Sequence, residues 1–241
     1  MKVTNDKRTK RLPQIITSQL VFTIIVVVVS LLLIAYGLGY RYDYKAFKVL
    51  KTGLLVVEGP PNDAKVKIGK TIGKPYQNKY SKSMTPGQYS VEITKENFVT
   101  WHASFRLESG SIDIFDNIVL FRSAPAISDL TDVKKIAELE APVEILAESN
   151  NELLVKEYEI WVGEQLTTRL STPVLRAIRY TDMAHVVYQQ GNEIRVIENS
   201  GGNDTLLVKL SSPIATNFVL GNHGDELYYV DGGVNKMAVI R

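Results

Sequence analysis

The stretch Lys95–Gly110, KENFVTWHASFRLESG, decides how the chain is read. It brings a tryptophan, a histidine and an arginine close together, as either a site or a strand with two faces would. The order of its residues favours the strand. Val99, Trp101, Ala103, Phe105 and Leu107 fall on one face, and Thr100, His102, Ser104 and Arg106 on the other, the period-two alternation of a half-buried β-strand. Trp101 is therefore expected in the core beside Phe105, and His102 in solvent. Lys95-Glu96-Asn97 supplies the preceding turn, because Asn tolerates the left-handed conformation.

Working outward, the same pattern recurs upstream. TGLLVVEG stops at Gly59-Pro60-Pro61, and AKVKIGK closes at Gly69. IGKPYQNKY reads as a turn into an irregular edge. TPGQ sets Pro86 where φ is fixed and Gly87 where a positive φ is allowed. QYSVEIT alternates Tyr89, Val91 and Ile93 against Ser90, Glu92 and Thr94.

This ordered series resembles a PEGA domain, a small β-sandwich-like module of bacterial and archaeal surface proteins. The matching positions are Pro61, Ala64, Gly69, Gly73, Pro75, Pro86, Gly87 and Phe98, with Trp101 in the strand that follows. Two positions depart from the family pattern. The Pro-Glu-Gly-Ala tetrapeptide is Pro61-Asn62-Asp63-Ala64 here, and the glycine before the aromatic is Asn97. Both replacements suit turns. The resemblance covers residues 52–121; it implies a β module and brings no catalytic residues.

The N-terminal part has a different character. No charged residue lies between Leu12 and Tyr40. About 20 apolar residues suffice to span a bilayer core, whereas a secretory signal carries a shorter apolar region of roughly 7–15. The expectation is a signal anchor over 15–40, behind a basic cytoplasmic tail (1–14) and before a juxtamembrane linker (41–51). The competing reading is a signal peptide cut near Ala35. The dense cluster Lys2, Lys7, Arg8, Lys10 and Arg11 places the N-terminus inside the cell membrane and the bulk of the chain outside. Tyr36, Tyr40, Tyr42 and Tyr44 stand where an interfacial aromatic belt would lie. Residues 1–51 hold nine Lys/Arg against two Asp/Glu, and the remaining residues hold 19 against 24. The β part is mildly acidic, which argues against nucleic-acid binding.

After a connector (122–141), repetition sets in over 142–241. Segments headed by Pro142, Pro173 and Pro213 each carry an apolar triplet and a closing strand. The triplets are Leu153-Leu154-Val155, Val186-Val187-Tyr188 and Leu227-Tyr228-Tyr229. Such units resemble propeller blades of the WD40-like or TolB-like kind. A propeller needs at least four blades, and about two and a half are present. An open stack or a plain sandwich are the alternatives, and an open β edge at the end of the chain would favour self-association.

The expected fold is thus mainly β: one N-terminal transmembrane helix, a PEGA-like β-sandwich, then incomplete propeller-like β repeats. Chemistry is sparse. The chain has no cysteine, and His102, His185 and His223 show no metal-ligand spacing. Neither a nucleophile elbow nor a P-loop is present, and Ser200–Asp204 reads as a turn. No cofactor and no metal is expected. The sequence reads as a non-catalytic, membrane-anchored surface protein that binds envelope proteins or cell-wall glycan, with Tyr76 and Tyr80 as the contact residues. The alternative is an anchored accessory subunit of an envelope enzyme or assembly.

Overall fold

The computed structural model describes residues 11–43, 47–140 and 153–241. Tyr44, most of the basic tail, and Pro142 with the strand expected after it lie outside the described residues. The protein is mainly β, with one long N-terminal helix, and the described strands close into neither a barrel nor a propeller. Two compact units share the chain. One comprises Met1–Leu55, Ser81–Gln88 and Arg106–Asp113; the other comprises Val56–Tyr80, Tyr89–Phe105 and Ile114–Arg241.

In the smaller unit, helix α1 spans Arg11–Gly37. Its Gln19–Gly37 stretch has a mean hydropathy of 2.8 and none of it is buried. It is long and apolar enough to cross a membrane, a test that a signal sequence also passes. The hydroxyls of Thr23 and Ser30 donate to the carbonyls of Gln19 and Val26, at 2.9 and 2.8 Å, so these polar groups are satisfied within the helix. The helix ends at a glycine pair, with Gly39 at φ 87°.

The residues read as a linker instead form a hairpin, β1 (Tyr40–Asp43) with β2 (Lys48–Lys51), in which Tyr42 faces Val49 and Arg41 faces Leu50. The Arg41 guanidinium lies 3.6 Å over the Tyr36 ring. It also donates to the carbonyls of Tyr36 and Tyr40 at 2.7 and 2.9 Å, a cation at the negative end of the helix dipole.

Seven strands follow: β3 (Gly53–Glu58), β4 (Lys65–Ile68), β5 (Thr71–Gly73), β6 (Lys79–Met84), β7 (Gly87–Thr94), β8 (Trp101–Leu107) and β9 (Ile112–Phe115). They form two sheets, ordered β6-β3-β9 and β5-β4-β7-β8. β8 alternates as expected: Trp101 is 5% exposed, and His102, Ser104 and Arg106 face solvent. Edge-to-face contacts join Phe115 to Trp101 at 5.5 Å and to Phe105 at 5.4 Å. Asn97 is left-handed, at φ 65°, in the turn before β8. Gly87 does not take a positive φ; it opens β7 as ordinary strand, because the chain leaves one sheet at β6 and enters the other there.

The repeats form three antiparallel sheets in the larger unit. The first is β11 (Leu153–Lys156), β12 (Glu159–Val162) and β13 (Gln165–Arg169). The second is β14 (Val174–Arg179), β15 (His185–Gln190), β16 (Glu193–Glu198) and β17 (Thr205–Lys209). The third joins β18 (Phe218–Gly221), β19 (Glu226–Asp231) and β20 (Val234–Val239) to β10 (Ala126–Asp129), which comes from the stretch read as a connector. Each apolar triplet lies on the first strand of a hairpin, β11 with β12, β15 with β16 and β19 with β20; among the described residues β11 is the edge of its sheet, whereas β15 and β19 are interior. The turns Gly191-Asn192 and Gly232-Gly233 are two-residue hairpin turns, with Gly191, Gly232 and Gly233 all at positive φ. β20 is not an open edge: it pairs with β19 on one side and with β10 on the other, Ala126 facing Val239.

The second sheet is apolar on both faces. Val186, Tyr188 and Ile197 pack with Ile160 and Leu153 of the first sheet. Val187, Ile194 and Val196 pack with Phe218, Leu227 and Tyr229 of the third. The far face of the third sheet is covered by α2 (Val133–Glu140), also from the connector, through Ile136, Leu139 and Tyr228. Asp132 caps α2, its carboxylate accepting from the Lys134 N–H at 2.9 Å.

One buried side chain ties the stack to its loops. Gln189, wholly buried, donates to the carbonyls of Gly191 and Ile214 and accepts from the Thr216 N–H, all within 3.0 Å. Gln189→Ala removes three hydrogen bonds to part-buried backbone groups, each contributing about 0.5–1.5 kcal/mol. The expected loss of several kcal/mol would be read by urea unfolding, and a change under about 1 kcal/mol would contradict it.

Asp231 flanks the last hairpin turn. Its carboxylate accepts from the Ser211 hydroxyl at 2.5 Å, the Ser211 N–H at 2.8 Å and the Lys236 ammonium at 3.0 Å. These bonds, the Ser211 hydroxyl first, hold its pKa at about 2 instead of 3.8. A carboxylate with a depressed folded pKa stabilises above its unfolded pKa, and that contribution is lost as pH falls through the folded one. Thermal melts of Asp231→Asn should therefore lie below the parent at pH 7 and converge with it between pH 4 and 2.

Candidate functional site

A cleft of about 470 Å³ opens in the larger unit beside Trp101. One wall is β8, with Trp101, His102 and Ala103. A second is Ile114–Asn117, and the third is the start of β15 with the turn between β16 and β17. That turn is the glycine-rich Ser200–Asp204 segment. Gly201 takes φ 84°, and a Cβ there would stand 2.4 Å from the Thr167 carbonyl oxygen, so only glycine fits. Asn203, also left-handed at φ 52°, turns its side chain back to accept from the His102 N–H at 3.1 Å.

Glu198 is the polar centre of the cleft. Its Oε1 accepts from the Trp101 indole N–H at 2.5 Å and from the Asn203 amide at 2.9 Å, and its Oε2 accepts from the Ser200 hydroxyl at 3.0 Å. This carboxylate is therefore what allows an indole N–H to be buried there.

Deeper in, His185 is 3% exposed, between the ring edges of Phe121 and Tyr180. Its Nδ1 lies 2.6 Å from Asp182 Oδ2, and Asp182 Oδ1 accepts from the N–H groups of Ala184 and His185. Burial pushes the Asp182 carboxyl up. The hydrogen bonds from His185 and the two backbone donors outweigh it, so the group is held below its ordinary range. An ionised carboxylate only accepts, so the Nδ1 carries the proton. Both oxygens of both carboxylates already accept hydrogen bonds from the protein. What the cleft offers a ligand is the exposed His102, polar groups of the 199–203 turn, and the side chain of Ile114, 58% exposed.

The expected contact residues lie elsewhere. Tyr76 is exposed, but Tyr80 is half-buried with its ring over Gly73, where a Cβ would meet it at 2.3 Å, and burial raises its pKa. Neither lines the cleft. Of the remaining expected positions, Ala64 is wholly buried, and its N–H donates to the Pro61 carbonyl at 3.0 Å. Pro75 is buried and Gly69 takes φ 55°. Phe98 bridges to Arg122 and has the Lys95 ammonium 4.7 Å above its ring. Pro86 precedes β7. Tyr36, Tyr40 and Tyr42 are exposed. Among the described residues no group of three or more His, Cys, Asp or Glu is placed to hold a metal ion. The pairings Trp101–Glu198 and His185–Asp182 escape a reading of the sequence: the first joins residues 97 positions apart, and the second carries no motif.

Comparison with protein-family models gives no matching family, and comparison with curated proteins gives no matching relative.

Glu198→Ala removes the acceptor from a buried indole. In a Trp161→Phe background, which leaves Trp101 as the single tryptophan, the emission excited at a wavelength that spares tyrosine should shift to the red. Stability should fall by about 1.5–3 kcal/mol, the range for hydrogen bonds to a charged group. An unshifted spectrum would show that Glu198 does not hold the indole.

Proposed function

We propose that the protein is a single-pass, membrane-anchored surface protein, N-terminus cytoplasmic, whose β-rich part is extracytoplasmic. In this reading a PEGA-like module over 52–121 and the repeat stack act as a non-catalytic platform that binds an envelope protein or cell-wall glycan. The observation that carries it is α1: a 19-residue stretch with a mean hydropathy of 2.8, none of it buried, leading directly into a mainly β chain. In water such a helix leaves a large apolar area unburied at roughly 25 cal/mol per Å², and a bilayer removes that cost. The basic cluster before α1 supports the orientation. The cleft supports binding, since a few fixed polar groups around an exposed apolar side chain suit a sugar or peptide.

The test is fractionation of cells expressing the full chain, followed by protease treatment of intact cells and pull-down with isolated cell wall or solubilised envelope proteins. The protein should resist alkaline extraction, lose its C-terminal part to external protease, and bind less well as Ile114→Asp. Release by alkali would refute the anchor. Undiminished binding by Ile114→Asp would remove the cleft from the reading, and a co-purifying enzymatic activity would favour the accessory-subunit alternative.

A further inference from the structure

The hairpin after α1 has a composition unlike the sheets that follow it. Large apolar side chains run from the helix end to the hairpin turn, all strongly exposed: Tyr36 at 63%, Leu38 at 61%, Phe47 at 80% and Val49 at 64%, with Tyr40 and Tyr42 above 40%. Tyr42 and Val49 are directly opposed, so they share a face of the ribbon, as do Tyr40 and Lys51. Residues 40–51 also hold four basic residues, Arg41, Lys45, Lys48 and Lys51, against the single acid Asp43. A two-stranded ribbon is marginal in water by itself, and here Phe47 and Val49 are strongly exposed.

The position of the ribbon is fixed. Both ends of its base are pinned to Gly39, two residues past α1, by the Thr52 N–H and hydroxyl donating to the Gly39 carbonyl at 2.9 and 3.0 Å. Arg41 holds the same junction from the other strand through the Tyr36 carbonyl. Four-residue strands are about 13 Å long. The headgroup layer is roughly 5–7 Å deep on each side of the hydrocarbon. A helix that crosses a bilayer therefore delivers this hairpin into the interface.

We propose that the β1–β2 hairpin is a second membrane contact. It lies in the headgroup layer, with Phe47, Val49 and Tyr42 at the acyl boundary and Lys48 and Lys51 at the phosphates of acidic phospholipids. The proposal rests on the anchor reading of α1. Its chemistry is that of interfacial elements, apolar and aromatic side chains beside Lys and Arg on an anionic surface.

The absence of cysteine makes the test clean. Single cysteines at Ile25, Phe47 and Ile214 of the full chain are spin-labelled and reconstituted in phosphatidylcholine vesicles containing phosphatidylglycerol. Collision with lipid-soluble oxygen is compared with collision with a water-soluble nickel complex. Ile25→Cys reports the helix, and Ile214→Cys, 72% exposed, is the aqueous reference. The oxygen-to-nickel ratio at Phe47→Cys should exceed that at Ile214→Cys several-fold. The excess should shrink in vesicles lacking phosphatidylglycerol and in Lys48→Gln/Lys51→Gln. If Ile25→Cys reports lipid while Phe47→Cys matches the aqueous reference, the hairpin proposal is overturned and the anchor stands. If Ile25→Cys reports water, the anchor fails and takes the proposal with it. A ratio that ignores both phosphatidylglycerol and the two lysines would overturn the assignment to acidic headgroups.

Discussion

The repeat region depends on one constraint: β15 has no face left for water. His185–Gln190 is buried over five successive residues, because the sheet to which β15 belongs is covered on both sides. A strand in that position needs apolar side chains in succession where a half-exposed strand would alternate. It also needs a partner for any polar group it carries. His185 meets that need through Asp182, and Gln189 through the backbone of the 211–217 loop. The polar residues of the central strand thus fix its surroundings as firmly as the apolar ones fill them.

The same logic governs the cleft. Trp101 is required in the core by the alternation of β8, but its indole N–H cannot be buried alone, and Glu198 is brought to it from another sheet. A carboxylate so placed needs further donors, and Asn203 and Ser200 supply them from a turn whose shape depends on Gly201. The cleft walls are therefore set by the satisfaction of a single hydrogen-bond donor.

Much of this could be read from residue order, and where it could not, the reason is physical. The faces of β7 and β8 follow from period-two alternation, and Asn97 from its tolerance of the left-handed region. The triplets Val186-Val187-Tyr188 and Leu227-Tyr228-Tyr229 are buried throughout because both sides of their sheets are covered. In Leu153-Leu154-Val155 the middle residue is 46% exposed. β10 gave no such signal: all four of its residues are exposed, and an edge strand held by backbone bonds alone leaves no hydrophobic pattern. A Pro-Gly pair allows a reversal with Gly87 at positive φ, whereas the chain only changes sheets there and Gly87 is ordinary strand. Tyr80 is half-buried and not exposed, because the space over Gly73 exists only once β5 and β6 have formed. Glu198 and Trp101 meet through tertiary structure alone.

The pairing of β10 with β20 also bears on time. Ala126 and Val239 are 113 positions apart, so at about 5–20 residues per second a ribosome makes β10 roughly 6–20 s before its partner. Through that interval the third sheet lacks a member and α2 lacks the surface it covers. The strand that completes the third sheet is thus the last of the described strands to be made.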